Sequence, residues 1–533
     1  MSRQPAYTIK GGALYDILRY QLRKYLIIQI NPHRCSLFLF IPVILSAFTH
    51  LLNPIGFPNL YFDEGIYMRR AMHVLSDQGP QEESTFYDHP YFGQLFLAGV
   101  LEIMGYPHSL NPSSTTSHND IQPSIEMLYL IPRVLMGILA VIDTILVYKI
   151  SQYCYNRHVA LIASILFAVM PSTWLIRWIL LDSIQLTLVL SSILLALYTT
   201  DSKKRDIKKN RTKILLILFS GIFLGLAIFT KIPAFTMIPV VGFLVYTRTT
   251  NKDSKIFLGL WFIPVILIPL IWPAYSISVG QFKFWLDGIL WQIHREGQPL
   301  FNSIYIFFKN DPILLILGIT GLVFAIIKKD ILLSLWAIPF MIFLYLIEFV
   351  SIYHLIPLLP VFCIAAATLI GDLSKEISRK KVQQILLPFI IISGIGLFGL
   401  VSTIMLITTN VNSAYFKADA FIAHYLQNDN QKNTYNNHDK VTVISDAFYL
   451  WIPQYIFRLD ENYKMYFDNT PVKTKKVLLI VDRGLINAMS RNDEAAKQIQ
   501  KIYNSHNTSI VATFQEGEQH KDDKVSIYQY NSK

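Results

Sequence analysis

The chain has 533 residues, of which 53% are hydrophobic and only 16% charged, and its mean hydropathy is +0.39. Soluble domains carry roughly a quarter charged residues, so this composition excludes an ordinary water-soluble protein and specifies one solvated largely by lipid. The net charge of +11 does not point to nucleic acid, because Lys and Arg sit in short loops between apolar runs, where they report membrane orientation.

Residues 1–35 are polar and mixed, with Arg3, Lys10, Arg19, Arg23, Lys24 and Arg34, and read as a cytoplasmic segment ahead of a permanent signal anchor. Apolar runs of spanning length follow near 36–52, 127–149, 158–176, 180–199, 213–230, 232–247, 256–276, 312–328, 331–350, 353–371 and 385–409. This predicts about eleven transmembrane helices in a domain covering 36–409. With the N-terminus inside, the basic loops 201–213, 248–255, 328–330 and 374–381 all fall on the cytoplasmic side, as the positive-inside rule requires.

The first loop, 53–126, is then external. Within it Asp63–Ser76 and Tyr91–Tyr106 read as amphipathic helices lying at the membrane surface. Beyond Thr409 the chain turns polar, and the β-rich runs "KVTVISDAF", "KVLLIVDRG", "TSIVATF" and "VSIYQYN", with a helical pattern near Asp493–Tyr503, predict a small external α/β domain over 410–533. Asn507-Thr508-Ser509 would be a glycosylation acceptor on that side in a host that glycosylates; Asn210-Arg211-Thr212 falls inside and would be unused. The three cysteines, Cys35, Cys154 and Cys363, form neither a disulfide framework nor a metal spacing.

Ionisable residues gather at the outer helix ends: Asp63, Glu64, Asp88, His89, Arg133, Arg177, Asp182, Lys231, His294, Arg295, Glu296, Glu348 and His354. Charges near lipid are costly, so both signs at one interface predict a polar cavity. Acids suit proton removal from a hydroxyl or a metal; bases suit phosphate. Each residue also has a structural reading. Asp63 and Glu64 can complement a helix N-terminus, and Asp88-His89 can cap the next helix. Arg133 can snorkel, Arg177 and Asp182 can pair across a helix break, Lys231 can answer a helix C-terminus, and His294-Arg295-Glu296 can be a solvated cluster. His354 reads as an interfacial histidine.

Taken in order, "FDEG", "DHPYFGQ", "IPRVLMGILAVIDTILVYKI", "IRWILLDSIQLTLVLSSILLALY", "GIFLGLAIFTKIPAF" and "YHLIPLLPVFCIAAA" resemble the GT-C glycosyltransferases of the protein O-mannosyltransferase and aminoarabinose-transferase type (family 39-like). The resemblance covers most of 36–372. It implies transfer of a sugar from a polyprenyl (dolichyl)-phosphate donor to a protein, lipid or glycan hydroxyl at the external face, in the plasma membrane or endoplasmic reticulum.

It further implies Asp63 as the base with Glu64 beside it, and Lys231, Arg177 and Arg133 toward the donor phosphate. Asp88, His89, Asp182 and His294 would support the site or the acceptor. The family's second proline after the loop histidine is Tyr91 here, and the "WWDYG" signature of the oligosaccharyltransferase branch is absent from the sequence. No Gly-rich phosphate loop is present, in keeping with a lipid-linked donor. A divalent metal at Asp63, or at Asp88 with His89, is compatible with these residues and not required by them. A transporter or flippase of lipid-linked sugars, and an inactive membrane scaffold, are the alternatives.

Overall fold

The structure, a computed structural model, describes residues 37–531 except 83–85, 115–117, 200–206, 249–253, 296, 378–380, 433–439, 473, 492 and 516–523. The expected cytoplasmic segment and Glu296 lie outside the described residues, and the basic loops at 201–213, 248–255 and 374–381 lie only partly within them.

The chain forms α1 (Phe40–Leu51), α2 (Phe62–Leu75), α3 (Phe92–Ile103), α4 (His118–Cys154), α5 (Arg157–Val169), α6 (Leu181–Tyr198), α7 (Ile207–Thr230), α8 (Ile238–Arg248) and α9 (Ser254–Leu267). It continues with α10 (Ile271–Ser278), α11 (Phe282–Ile293), α12 (Leu300–Asn310), α13 (Pro312–Ile327), α14 (Ile331–Leu346), α15 (Leu359–Ile377), α16 (Lys381–Ile407) and α17 (Ser413–Lys432). The rest is β1 (Val441–Ser445), α18 (Ala447–Trp451), β2 (Asn462–Met465), β3 (Lys476–Val481), α19 (Arg483–Met489), α20 (Glu494–Tyr503), β4 (Thr508–Phe514) and β5 (Val525–Asn531).

Among the described residues, six helices are long and apolar enough to span a membrane, or eight if each of two bent pairs counts as one. The other three expected spans carry shorter apolar helices, Phe40–Leu51, Ile232–Arg248 and Ile331–Leu346. The two surface helices expected in the first loop are α2 and α3, but α2 is not simply laid on a surface: Glu64, Tyr67, Met68, Arg70 and Ala71 are buried in the protein.

Helix breaks determine where polar groups appear. Pro171 ends the helical ladder of α5, and the short turn that follows is bent by 67°. The chain then runs extended through Trp178 and Leu180 before α6 begins with Asp182 in its first turn. Lys231 is the extended residue after α7, followed by a 3-10 turn with Pro233. Pro312 starts α13 at a 120° corner, where the Asp311 carboxylate accepts from Leu314 N (2.9 Å) and from Ser172 N (3.1 Å). Close packing holds these breaks in register: a Cβ on Gly221 would come within 2.4 Å of the Trp261 carbonyl oxygen, so α7 and α9 touch through backbone.

The C-terminal unit is a five-stranded sheet in the order β2-β1-β3-β5-β4, parallel over its first three strands and antiparallel over the rest. Ala418 and Ile422 of α17 pack with Val441, Val443 and Ile480 in one core; Leu485 and Ile499 pack with Val477 and Leu479 in another. Of these elements β2 lies in none of the four β-rich runs, and α17 lies in a segment of mixed polarity that marks no helix. The Asn412 amide stitches the two parts of the chain together, donating to the carbonyls of Ile55 (2.7 Å) and Pro58 (2.7 Å) and accepting from Leu60 N (2.9 Å). Asn53 reaches the other way, to the carbonyls of Ile407 and Thr409. This ties the residues leading into α2 to the start of the sheet unit.

Candidate functional site

A cavity of about 770 Å³ lies where α2, the helix breaks at Lys231 and His354, the loop after α11 and the sheet unit meet. Asp63, His89, Lys231, Arg295, Tyr353 and His354 face it, and Trp451, Tyr455, Tyr463 and Met465 form the wall contributed by the sheet unit. A Cβ on Gly65 would lie 2.7 Å from the Trp451 ring, so only glycine admits this close approach of the sheet unit to α2. The Trp451 indole N–H donates to the Tyr129 hydroxyl at 2.9 Å.

Asp63 and Glu64 are neighbours in the first turn of α2 and therefore point about 100° apart. Asp63 is half-buried on the cavity wall. Burial pushes its carboxyl above the ordinary aspartate range, against the opposing pull of Lys231, the Tyr353 hydroxyl and Arg295. Glu64 turns inward instead and is 0% exposed. Its oxygens accept from Arg133 Nε (3.0 Å) and Nη2 (2.7 Å), from Tyr61 N (2.9 Å) and from Ile179 N (3.1 Å). Arg133 spends its remaining donors on the carbonyls of Pro54, Pro58 and Asn59. Glu64 and Arg133 thus pin the entry to α2 and do not line the cavity, which corrects the expectation that Glu64 acts beside Asp63 and that Arg133 reads phosphate.

Arg177 is displaced from its expected role in the same way. It is 1% exposed and donates to the carbonyls of Thr49, Leu52 and Asn53, closing the C-terminal end of α1. Asp182 does not pair with it across the break. Its Oδ2 accepts from Lys231 Nζ at 2.7 Å, behind the cavity, so Asp182 aims the lysine. The same Nζ stands 4.9 Å over the Tyr353 ring, and the Gln185 amide holds the Lys231 carbonyl.

Asp88 accepts from Arg70 Nη1 at 2.8 Å; although burial acts in the other direction, that guanidinium holds its carboxyl below the usual range. His89 is brought down to about 4 by burial and is neutral at neutral pH. The set Asp63, Asp88 and His89 does not converge on an ion: among the described residues no group of three or more His, Cys, Asp or Glu side chains is placed to hold a metal. His294 caps α11, is exposed and does not line the cavity. Its neighbour Arg295 does, stacked 3.9 Å over the Phe349 ring and 5.1 Å from that of Trp291. Nothing in "HRE" distinguishes the inward cation from the outward histidine. Only the fold of the loop between α11 and α12 does.

Residues 43–280 match a family model described as Dolichyl-phosphate-mannose-protein mannosyltransferase. No curated protein matches the chain. Among solved structures, ArnT from Cupriavidus metallidurans in the apo state is similar with a TM-score of 0.56 and 11% identity, over 92% of this chain and 97% of that one. The same protein bound to undecaprenyl phosphate gives 0.54 at 11% identity, with the same coverage. The Archaeoglobus fulgidus oligosaccharyltransferase in the apo form gives 0.55 at 12% identity, over 87% of this chain and 72% of that one. The architecture is therefore the GT-C fold. The family match covers less than half of this chain and the solved structures share its fold, so both similarities are to glycosyltransferases, and the apolar helices mark an integral membrane protein.

Proposed function

We propose that the protein transfers a sugar from a polyprenyl-phosphate donor to an acceptor hydroxyl at the external face, with inversion, using Asp63 as the base. The observation that carries this reading is one cavity lined by a carboxylate, Asp63, together with the cations Lys231 and Arg295, which act on it. The bound lipid phosphate of the Cupriavidus neighbour supports the donor class. The charge pattern supports the side: α6 begins and α7 ends at the cavity, whereas their other ends join the Lys- and Arg-rich stretch 201–213.

In this reaction the acceptor oxygen bonds to the anomeric carbon on the face opposite the phosphate while its proton passes to an Asp63 carboxylate oxygen. The bond from the anomeric carbon to the phosphate oxygen breaks, and its electron pair leaves with the lipid phosphate. Negative charge grows on that phosphate beside Lys231 and Arg295, which stabilise it without having to reorganise. A carboxyl raised by burial suits proton abstraction near neutral pH better than an exposed aspartate. The sheet unit, on the same external side, forms the acceptor wall through Trp451 and Tyr455.

The test is sugar transfer in proteoliposomes from a mixed pool of polyprenyl-phosphate sugars, comparing wild type with Asp63→Asn at equal folded amount. The expected result is a loss of roughly 10²- to 10⁴-fold with donor still bound. Equal turnover would remove Asp63 from the chemistry, and absence of transfer by wild type with every donor and acceptor would return the inactive-scaffold alternative.

A further inference from the structure

His354 stands in the break before α15, within the 3-10 turn Ile352–Leu358. Its Nδ1 accepts a hydrogen bond from the Ser351 backbone N–H at 2.9 Å, while the His354 backbone N–H donates to the Ser351 carbonyl at 3.0 Å. An Nδ1 that accepts carries no proton, so the neutral ring bears its hydrogen on Nε2. Protonating the ring would place a hydrogen on Nδ1 directly against the Ser351 N–H. The backbone therefore fixes this histidine as a neutral donor and disqualifies it as an acid or base.

The ring is also fixed in direction. Tyr353 lies 4.5 Å from it and Phe349 6.3 Å, edge to face. His354 lines the cavity, and among the described residues Nε2 has no hydrogen-bond partner. The charges of Lys231 and Arg295 act on the ring from across the same space. Arg295 has only aromatic faces against it and no carboxylate in an ion pair among the described residues, and Lys231 keeps two of its three ammonium hydrogens beyond the one given to Asp182.

We infer that the Nε2–H of His354 is a third donor to the phosphate of the polyprenyl carrier, completing a tripod with Lys231 and Arg295. The three donors come from three separate segments: the break after α7, the loop after α11 and the turn before α15. Two supply charge. The third supplies a directional hydrogen bond whose protonation state is held by the backbone. This assignment rests on the donor reading above and adds to it a residue that sequence reasoning set aside as interfacial.

The experiment measures binding of undecaprenyl phosphate and of dolichyl phosphate to the purified full chain, with the corresponding polyprenols as controls, alongside thermal unfolding. His354→Asn places an amide oxygen where Nδ1 accepts from Ser351 but does not reach the Nε2 position; His354→Gln reaches that position with an N–H and gives up the Ser351 contact. A hydrogen bond to a charged oxygen predicts that His354→Asn unfolds like wild type yet binds the lipid phosphates roughly 10- to 100-fold more weakly. His354→Gln should bind within a few-fold of wild type while unfolding more easily. Unchanged lipid-phosphate binding by His354→Asn, or losses of binding that merely follow losses of stability in both variants, would overturn the assignment. If Lys231→Ala weakens binding and His354→Asn does not, the donor reading stands and only the role of His354 falls. If wild type binds lipid phosphates no better than polyprenols, the donor reading and this inference fall together.

Discussion

Exchanging Glu64 for Gln and, separately, Asp63 for Asn tests whether two adjacent carboxylates do different physical work. Both oxygens of Glu64 are acceptors for four donors, two on Arg133 and two on the backbone of Tyr61 and Ile179. An amide keeps one acceptor, turns an N–H toward another donor and leaves the Arg133 guanidinium, itself 1% exposed, without its counter-charge. Breaking a buried pair from one side costs about 3–5 kcal/mol, or roughly two to three and a half powers of ten in the unfolding equilibrium. Arg133 also holds the carbonyls of Pro54, Pro58 and Asn59, so the loosening spreads into the approach to α2. The assay is the fraction of chain that remains monodisperse after a thermal ramp in detergent, with sugar transfer measured per folded molecule. Glu64→Gln should lose stability and retain transfer in the surviving fraction, whereas Asp63→Asn should retain stability and lose transfer. A Glu64→Gln protein that melts like wild type and is inactive, beside an active Asp63→Asn, would refute the division of labour.

Gly65→Ala drives a Cβ to 2.7 Å from the Trp451 ring. It should cost about 1–3 kcal/mol by overpacking and raise KM for the acceptor while leaving KM for the donor unchanged, a split that steady-state kinetics will read. Asp419, on α17, has both carboxylate oxygens buried without a partner among the described residues, and burial pushes its carboxyl well above 3.8. The folded state therefore holds this proton more tightly than the unfolded one, so stability is fully present below the unfolded value and is lost as pH rises toward the folded value. Asp419→Asn, which never ionises, should gain in melting temperature relative to wild type as pH is raised from 5 to 8. A gap that does not change with pH would show that the site is not a buried acid.

Local pattern carried much of the architecture. Apolar runs bounded by basic loops specify helices that cross lipid, because an unpaired peptide group in hydrocarbon is too costly for any other open structure. Short β-rich runs specified four of the five strands. The acid-rich loop marked the place of the cavity, since charges of both signs beside lipid need a polar space to occupy. What sequence could not decide was direction. Asp63 and Glu64 differ by one residue, yet the turn of a helix sends one to the cavity and the other to Arg133, 69 positions away. Arg177 is consumed by the end of α1, 124 to 128 residues distant, whereas Lys231 is aimed by Asp182, 49 residues away, and still faces the cavity. In "HRE" the choice between His294 and Arg295 rests on a loop packed against Phe349. Residue type and spacing along the chain therefore determined the elements and the neighbourhood of the site. Only tertiary structure decided which charges neutralise one another inside the protein and which remain for a substrate, because a buried charge is satisfied by whatever lies nearest in space, and those partners lie tens to more than a hundred residues apart in the chain.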